Sequence, residues 1–113
     1  MNNSEAVRLL TALAQETRLA TFRLLVQAGD EGLTVGEIAE RLDVANATLS
    51  FHLKELVHAG LVKTQQQSRF VFCTANFTQM TALLDFLTEN CCQGEACETI
   101  KSARACRPRK VSA

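Results

Sequence analysis

The chain has 113 residues, 47% of them hydrophobic and 21% charged, with no tyrosine or tryptophan. That composition suits one small globular domain and excludes two. The formal net charge is zero, yet seven Lys/Arg and twelve Asp/Glu precede position 101, a net of −5, so the body of the chain is no general polyanion binder. All five later charges, Lys101, Arg104, Arg107, Arg109 and Lys110, are basic. No stretch reaches the roughly 20 apolar residues of a membrane span and no secretion signal opens the sequence, so a cytoplasmic location is expected.

The first element expected is a helix over "SEAVRLLTALA", with Ser4 as its N-cap and Ala6, Val7, Leu10, Leu13 and Ala14 on one face. A second follows in "ETRLATFRLLVQAG", with Leu19, Phe22, Leu25 and Val26 inward and Gly29 as the stop. "LTVGEIAERL" opens on Thr34 with Glu37 three residues on, a capping box, and its inner face is Ile38, Ala39 and Leu42. Asp43 and Val44 make a short turn into "ANATLSFHLKELVHAG". Leu49, Leu53, Leu56 and Val57 form the buried stripe of that helix, and Gly60 ends it. Two short helices joined by a tight turn are a helix-turn-helix.

Two β-prone runs in "LVKTQQQSRFVFCTA" flank Gln65–Ser68 and predict a hairpin. Helical spacing returns in "NFTQMTALLDFLTEN", with Met80, Leu83, Leu84 and Leu87 aligned. The expected order is α-α-α-α-β-β-α, a mainly helical winged helix-turn-helix. Residues 1–93 are expected to form one winged-helix domain that binds DNA and dimerises. Residues 94–113 are expected to be a flexible basic tail that carries one thiol ligand.

The second helix of such a motif needs small or polar residues at its outer N-terminal end, to fit between base edges in the major groove. With the leucines inward, Ala47, Ser50, Phe51 and Lys54 face outward, and Asn46 and Thr48 sit in the first turn. Asn46 suits bidentate pairing with adenine, while Ala47 or the Thr48 methyl can pack on a thymine methyl. Lys54, and Arg69 from the wing, would reach phosphates. The competing reading is that Asn46 caps the helix and Thr48 and Ser50 simply face solvent. His52 borders the core and reads as packed and hydrogen-bonded. One winged helix touches few bases, so a homodimer reading a two-fold operator is expected, joined through the apolar faces of the first and last helices.

The five cysteines are Cys73, Cys91, Cys92, Cys97 and Cys106. An odd number, crowded towards one end and without a sorting signal, points to a metal site or redox sensing rather than a disulfide framework. Cys91, Cys92 and Cys97 form C-C-x4-C. Thiolates select soft ions, and trivalent arsenic or antimony keeps a lone pair and takes three sulfurs in a pyramid. Neighbouring residues on an intact helix point about 100° apart, so Cys91 and Cys92 converge only where the helix ends or unwinds. Gly94 supplies freedom there and lets Cys97 fold back. A four-cysteine zinc site using Cys106 and a redox switch stay open. Cys73 reads as a packing residue.

The segments "QETRLATFRLL", "TVGEIAERLDVANATLSFHLKELVHAGLV" and "SRFVFCTA" resemble the ArsR (arsenic-repressor) family of metal-responsive repressors, over about residues 5 to 92. "ENCC" resembles the subgroup that senses trivalent arsenic at the end of the last helix. The resemblance implies an arsenite-responsive repressor that leaves its operator when As(III) or Sb(III) binds and derepresses arsenic-resistance genes. Zinc-responsive, redox-responsive and methylarsenite-selective repressors are the alternatives, as is a protein-interaction or metal-carrier module that binds no DNA. The chain departs from the family pattern at Ala45, where serine or proline is common, and at the wing tip "QQQSR", which lacks the usual glycine and has Gln66 where a basic residue is frequent. The helix-turn-helix carries no cysteines and the last helix no His/Asp zinc set. With no phosphate-binding glycine loop and no acid/base pair in a foreseeable pocket, an enzyme is not expected.

Overall fold

A computed structural model describes residues 1–94. Cys97, Cys106 and the basic residues from Lys101 onward, including the expected tail and its third ligand, lie outside the described residues.

Helix α1 spans Asn3–Leu13. Its cap is Asn2, whose Oδ1 accepts from the Glu5 N–H at 2.8 Å, so the expected cap Ser4 falls inside the first turn. Ala6, Leu9 and Ala12 are the buried residues. Val7 and Leu10, expected inside, are 60% and 42% exposed, and Ala14 is the exposed C-cap. The helix carries two apolar rows. Periodicity alone does not say which row meets its own subunit, and the one with two alanines packs closest to the neighbouring helices.

Helix α2 spans Glu16–Ala28 and buries Thr21, Phe22 and Leu25, while Leu19, expected inside, is exposed. Thr21 is fully buried without penalty because its hydroxyl donates to the Thr17 carbonyl at 2.7 Å. Gly29 ends the helix at φ 75°, as the sequence indicates.

A 3-10 turn, Gly29–Glu31, leads into strand β1, Leu33–Thr34. This strand is an addition to the predicted hairpin. It pairs antiparallel with the third strand, Leu33 opposite Cys73 and Thr34 opposite Phe72, giving a three-stranded sheet in the order β1-β3-β2. Two residues are too few to show a period, which hid the strand from the pattern.

Helix α3, Val35–Leu42, carries the predicted capping box, with Thr34 accepting from Glu37 N–H and the Glu37 carboxylate accepting from Thr34 N–H at 2.8 Å. These bonds favour the charged carboxylate and hold Glu37 below its ordinary pKa, the Thr34 backbone bond first. Because the pKa is depressed in the fold, the contribution to stability is present above the ordinary value of 4.5 and is lost as pH falls through the folded value. Thr34→Ala is expected to cost about 1 kcal/mol at neutral pH, as cap removal typically does. The loss should shrink as Glu37 protonates, which urea melts at neutral and acidic pH would check.

Asp43 turns the chain in the left-handed region at φ 55°. Helix α4, Asn46–Ala59, buries Leu49, Leu53, Leu56 and Ala59 and stops at Gly60, φ 88°. Val57, expected in the stripe, is 38% exposed, one position off the leucine row. Strands β2, Val62–Gln67, and β3, Phe70–Ala75, pair in register from Val62 opposite Ala75 to Gln67 opposite Phe70. The loop is therefore Ser68–Arg69, shorter than the predicted Gln65–Ser68. Ser68 takes φ 60°, a first loop position where glycine is usual.

Helix α5, Phe77–Leu87, is capped by Asn76, whose Oδ1 accepts from Gln79 N–H and whose Nδ2 donates to the Gly60 carbonyl at 2.9 Å. Only Leu83 of its predicted face is buried. Met80 is half-buried against the core, whereas Leu84 and Leu87 are 46% and 53% exposed. Leu9, Leu25, Ile38, Leu49, Leu56, Leu61 and Cys73 centre the core. Cys73 therefore packs as expected, and burial pushes its thiol pKa up. No helix among the described residues is long and apolar enough to cross a membrane.

Candidate nucleic-acid interface and thiol pair

Helix α4 is anchored from within. Leu49, Leu53 and Leu56 face the core, and the same spacing turns Asn46, Ala47, Thr48, Ser50, Phe51 and Lys54 to solvent, where all six are exposed. The structure thus leaves every residue singled out on this helix exposed to solvent, away from the buried leucine stripe. The capping position is Ala45, which makes no side-chain bond, so Asn46 is not the cap. Its amide lies in the first turn of a helix whose free N–H groups and positive dipole end favour a phosphate. Arg69 is exposed in the two-residue hairpin loop, a separate point on the wing.

Arginine bonds that the sequence did not reveal fix the orientation of α4. Arg8 Nη1 donates to the Ala59 carbonyl at 2.9 Å, tying α1 to the end of α4. Arg18 Nε donates to the Ala12 carbonyl at 2.6 Å, and its Nη1 lies 3.2 Å from His52 Nδ1. A guanidinium can only donate, so Nδ1 is the accepting atom in this contact. His52 is half-buried and hydrogen-bonded, as its border position indicated. No spacing rule links residues 34 positions apart, so only the general expectation of a partner for His52 was available.

The thiol pair lies just beyond α5, which ends at Leu87. Asn90 and Cys92 both take φ 57°, and Cys91–Gly94 form a 3-10 turn. This break from α geometry brings the sulfurs of Cys91 and Cys92 to 3.4 Å. On an intact helix they would diverge. Helix α5 stops at Leu87, three residues short of Asn90, where the expected helical run ends, so the cysteines lie beyond the helix rather than at its last turn. Cys92 is exposed and Cys91 half-buried. Among the described residues no group of three His, Cys, Asp or Glu could hold a metal ion. The predicted third donor, Cys97, lies outside the described residues. The two sulfurs present are closer than the edge of about 3.8 Å that zinc–sulfur bonds of about 2.3 Å give a tetrahedron.

A helix-turn-helix domain model matches residues 13–65, the span from the end of α1 to β2. The transcriptional activator HlyU of Vibrio cholerae is 38% identical over 92 residues, covering 81% of this chain and 82% of the relative. A putative arsenical resistance operon repressor ArsR of Halobacterium salinarum is 41% identical over 64 residues, 57% of this chain and 49% of the relative. Among solved structures, reduced HlyU from Vibrio cholerae matches with TM-score 0.65 at 37% identity, over 80% of this chain and 93% of that one. An ArsR family transcriptional regulator matches with TM-score 0.67 at 28% identity, over 80% and 90%. A homodimeric winged helix-turn-helix domain from Mycobacterium bovis shares the fold, with TM-score 0.61 at 22% identity over 84% and 88%. The curated relatives are transcriptional regulators rather than enzymes. The chain belongs to the ArsR/HlyU family of winged helix-turn-helix, DNA-binding transcriptional regulators.

Proposed function

We infer that this regulator acts in the cytoplasm as a homodimer on a two-fold operator, and that Cys91, Cys92 and Cys97 receive a trivalent thiophilic ion, As(III) or Sb(III), whose binding lowers operator affinity. The observation that carries the reading is the 3.4 Å approach of two adjacent sulfurs at the end of α5. Adjacent cysteines converge this closely only where backbone geometry has been broken, and here two residues occupy the left-handed region to do it. The bound ion would supply soft, directional bonds to thiolates. Cys91 and Cys92 offer two of three donors, and Cys97 is the candidate for the third.

Dimerisation supports the same reading. Val7 and Leu10 on α1 and Leu84 and Leu87 on α5 leave four large apolar side chains in solvent, on helices that pack against each other. The Mycobacterium bovis domain with this fold is described as homodimeric. Joined through these helices, each subunit presents Asn46, Ala47, Thr48, Ser50, Phe51 and Lys54 to one half-site, with Arg69 on the flanking backbone. Three sulfurs drawn together would reshape the end of α5, and α1, packed beside it, is tied to α4 by the Arg8 and Arg18 bonds. A ligand that favours the reshaped dimer weakens DNA binding by linkage.

The same sulfur pair could instead be oxidised to a disulfide, and one solved HlyU structure is described as reduced. An operator-binding titration with arsenite, antimonite, methylarsenite, zinc and a mild oxidant separates the readings. Arsenite should release the native protein, and Cys91→Ser, Cys92→Ser and Cys97→Ser should each blunt release at least tenfold with apo-protein affinity intact. A response to zinc alone, or to oxidant alone, would reject the metalloid reading.

A further inference from the structure

Phe51 is a large apolar side chain, 59% exposed, on the outer surface of α4. It lies one turn after Ala47, so the two make an apolar strip, with Thr48 and Ser50 beside it and Lys54 beyond. Its ring is braced. The Phe51 and His52 ring centroids are 5.3 Å apart at 67°, an edge-on contact, and His52 is in turn held by Arg18, which is bonded to the Ala12 carbonyl. Among the described residues the outer side of the ring is left open, and α4 is the helix that the operator-binding reading presents to DNA.

We propose that Phe51 is a specificity-determining residue that reads the C5-methyl group of a thymine in each operator half-site. The thymine methyl is the one apolar group that base pairs display in the major groove, and a phenyl ring has no hydrogen bond to offer any other edge. Polar neighbours can satisfy adjacent donors and acceptors, and Lys54, a turn further on, is placed for the phosphate backbone. The Arg18–His52 brace restrains the ring before DNA arrives, so little freedom is lost on contact. This inference rests on the operator-binding reading above and adds the base feature that is recognised.

The test begins with selection of duplexes from a random-sequence library by the native chain. Each thymine of the selected duplex is then replaced by deoxyuridine, which keeps every hydrogen bond and removes only the methyl. One position per half-site should lose about fourfold in affinity, the worth of one buried methyl, and both together about sixteenfold. Phe51→Ala should bind thymine and uracil duplexes alike while keeping the native salt slope, because phosphate contacts are untouched. Should that variant fold poorly, the uracil scan of the native chain and of Phe51→Leu still decides the matter. A selected sequence with a flat uracil scan, or undiminished discrimination by Phe51→Ala, overturns the proposal alone. Failure to select any sequence overturns the operator reading and this proposal with it.

Discussion

Gly32→Ala is expected to destabilise the protein by about 3 kcal/mol or more, the sum of backbone strain and a steric clash. Gly32 joins the 3-10 turn to β1 at φ 71° and ψ −171°, a region essentially reserved for glycine, where an L side chain costs about 1–3 kcal/mol. A Cβ there would also run into the Cys73 carbonyl oxygen and come within 2.7 Å of Thr74 Cγ2. The Cys73 oxygen is backbone of β3, the central strand, so unlike the Thr74 methyl it cannot swing aside. Against a total stability of about 5–15 kcal/mol for a domain, the loss is large. Gly36 gives the contrast. It lies exposed in the first turn of α3 with open space where a Cβ would go, so Gly36→Ala should stabilise by about 0.5–1 kcal/mol through helix propensity. Urea midpoints of the two variants should move in opposite directions.

The second large effect concerns assembly. Replacing Leu84 and Leu87 by glutamate is expected to convert the protein to a monomer and to weaken operator binding at least a hundredfold. Both side chains stand outside their own subunit's core, so the fold retains Leu83 as its α5 anchor. Carboxylates brought together across a two-fold axis would repel, and burying them unpaired would cost several kcal/mol. A monomer contacts one half-site and forfeits the base contacts of the other, each base pair being worth about 1–3 kcal/mol. Sedimentation velocity at micromolar concentration, with operator affinity measured alongside, reads both consequences. A Leu84/Leu87 variant that stays dimeric would move the interface elsewhere.

The elements with sharp local signatures were legible in the sequence. The Thr34–Glu37 capping box, the Gly29 and Gly60 stops and the Leu49–Leu53–Leu56 stripe stand where their chemistry puts them. Which of two apolar rows faces the core is a tertiary question, and there Val7, Leu10, Leu19, Leu84 and Leu87 went the other way. That error carries information, because the misplaced residues on α1 and α5 are the surface that a second subunit would cover. Ser4 lost to Asn2 as a cap because Asn2, Asn3 and Ser4 are all good capping residues, each starting the helix at a different position, and spacing does not rank them. The candidate DNA surface was readable once the leucine stripe fixed the inner face of α4. Its support was not, since the Arg18–His52 contact joins elements far apart in the chain. At the thiol site the sequence anticipated a break from helix geometry but not its position: α5 already ends at Leu87, and Asn90 and Cys92 make the bend.

The claim on which the functional account depends is that ligand at Cys91–Cys92 and operator at α4 bind antagonistically. Arsenite affinity measured by thiolate-to-arsenic absorbance, on free protein and on protein saturated with operator, tests it directly. Linkage requires the operator-bound form to take arsenite more weakly, by the same factor that arsenite weakens DNA binding, and a factor of at least ten is expected. Equal arsenite affinity in the two forms would show that the cysteines and the recognition helix are not coupled.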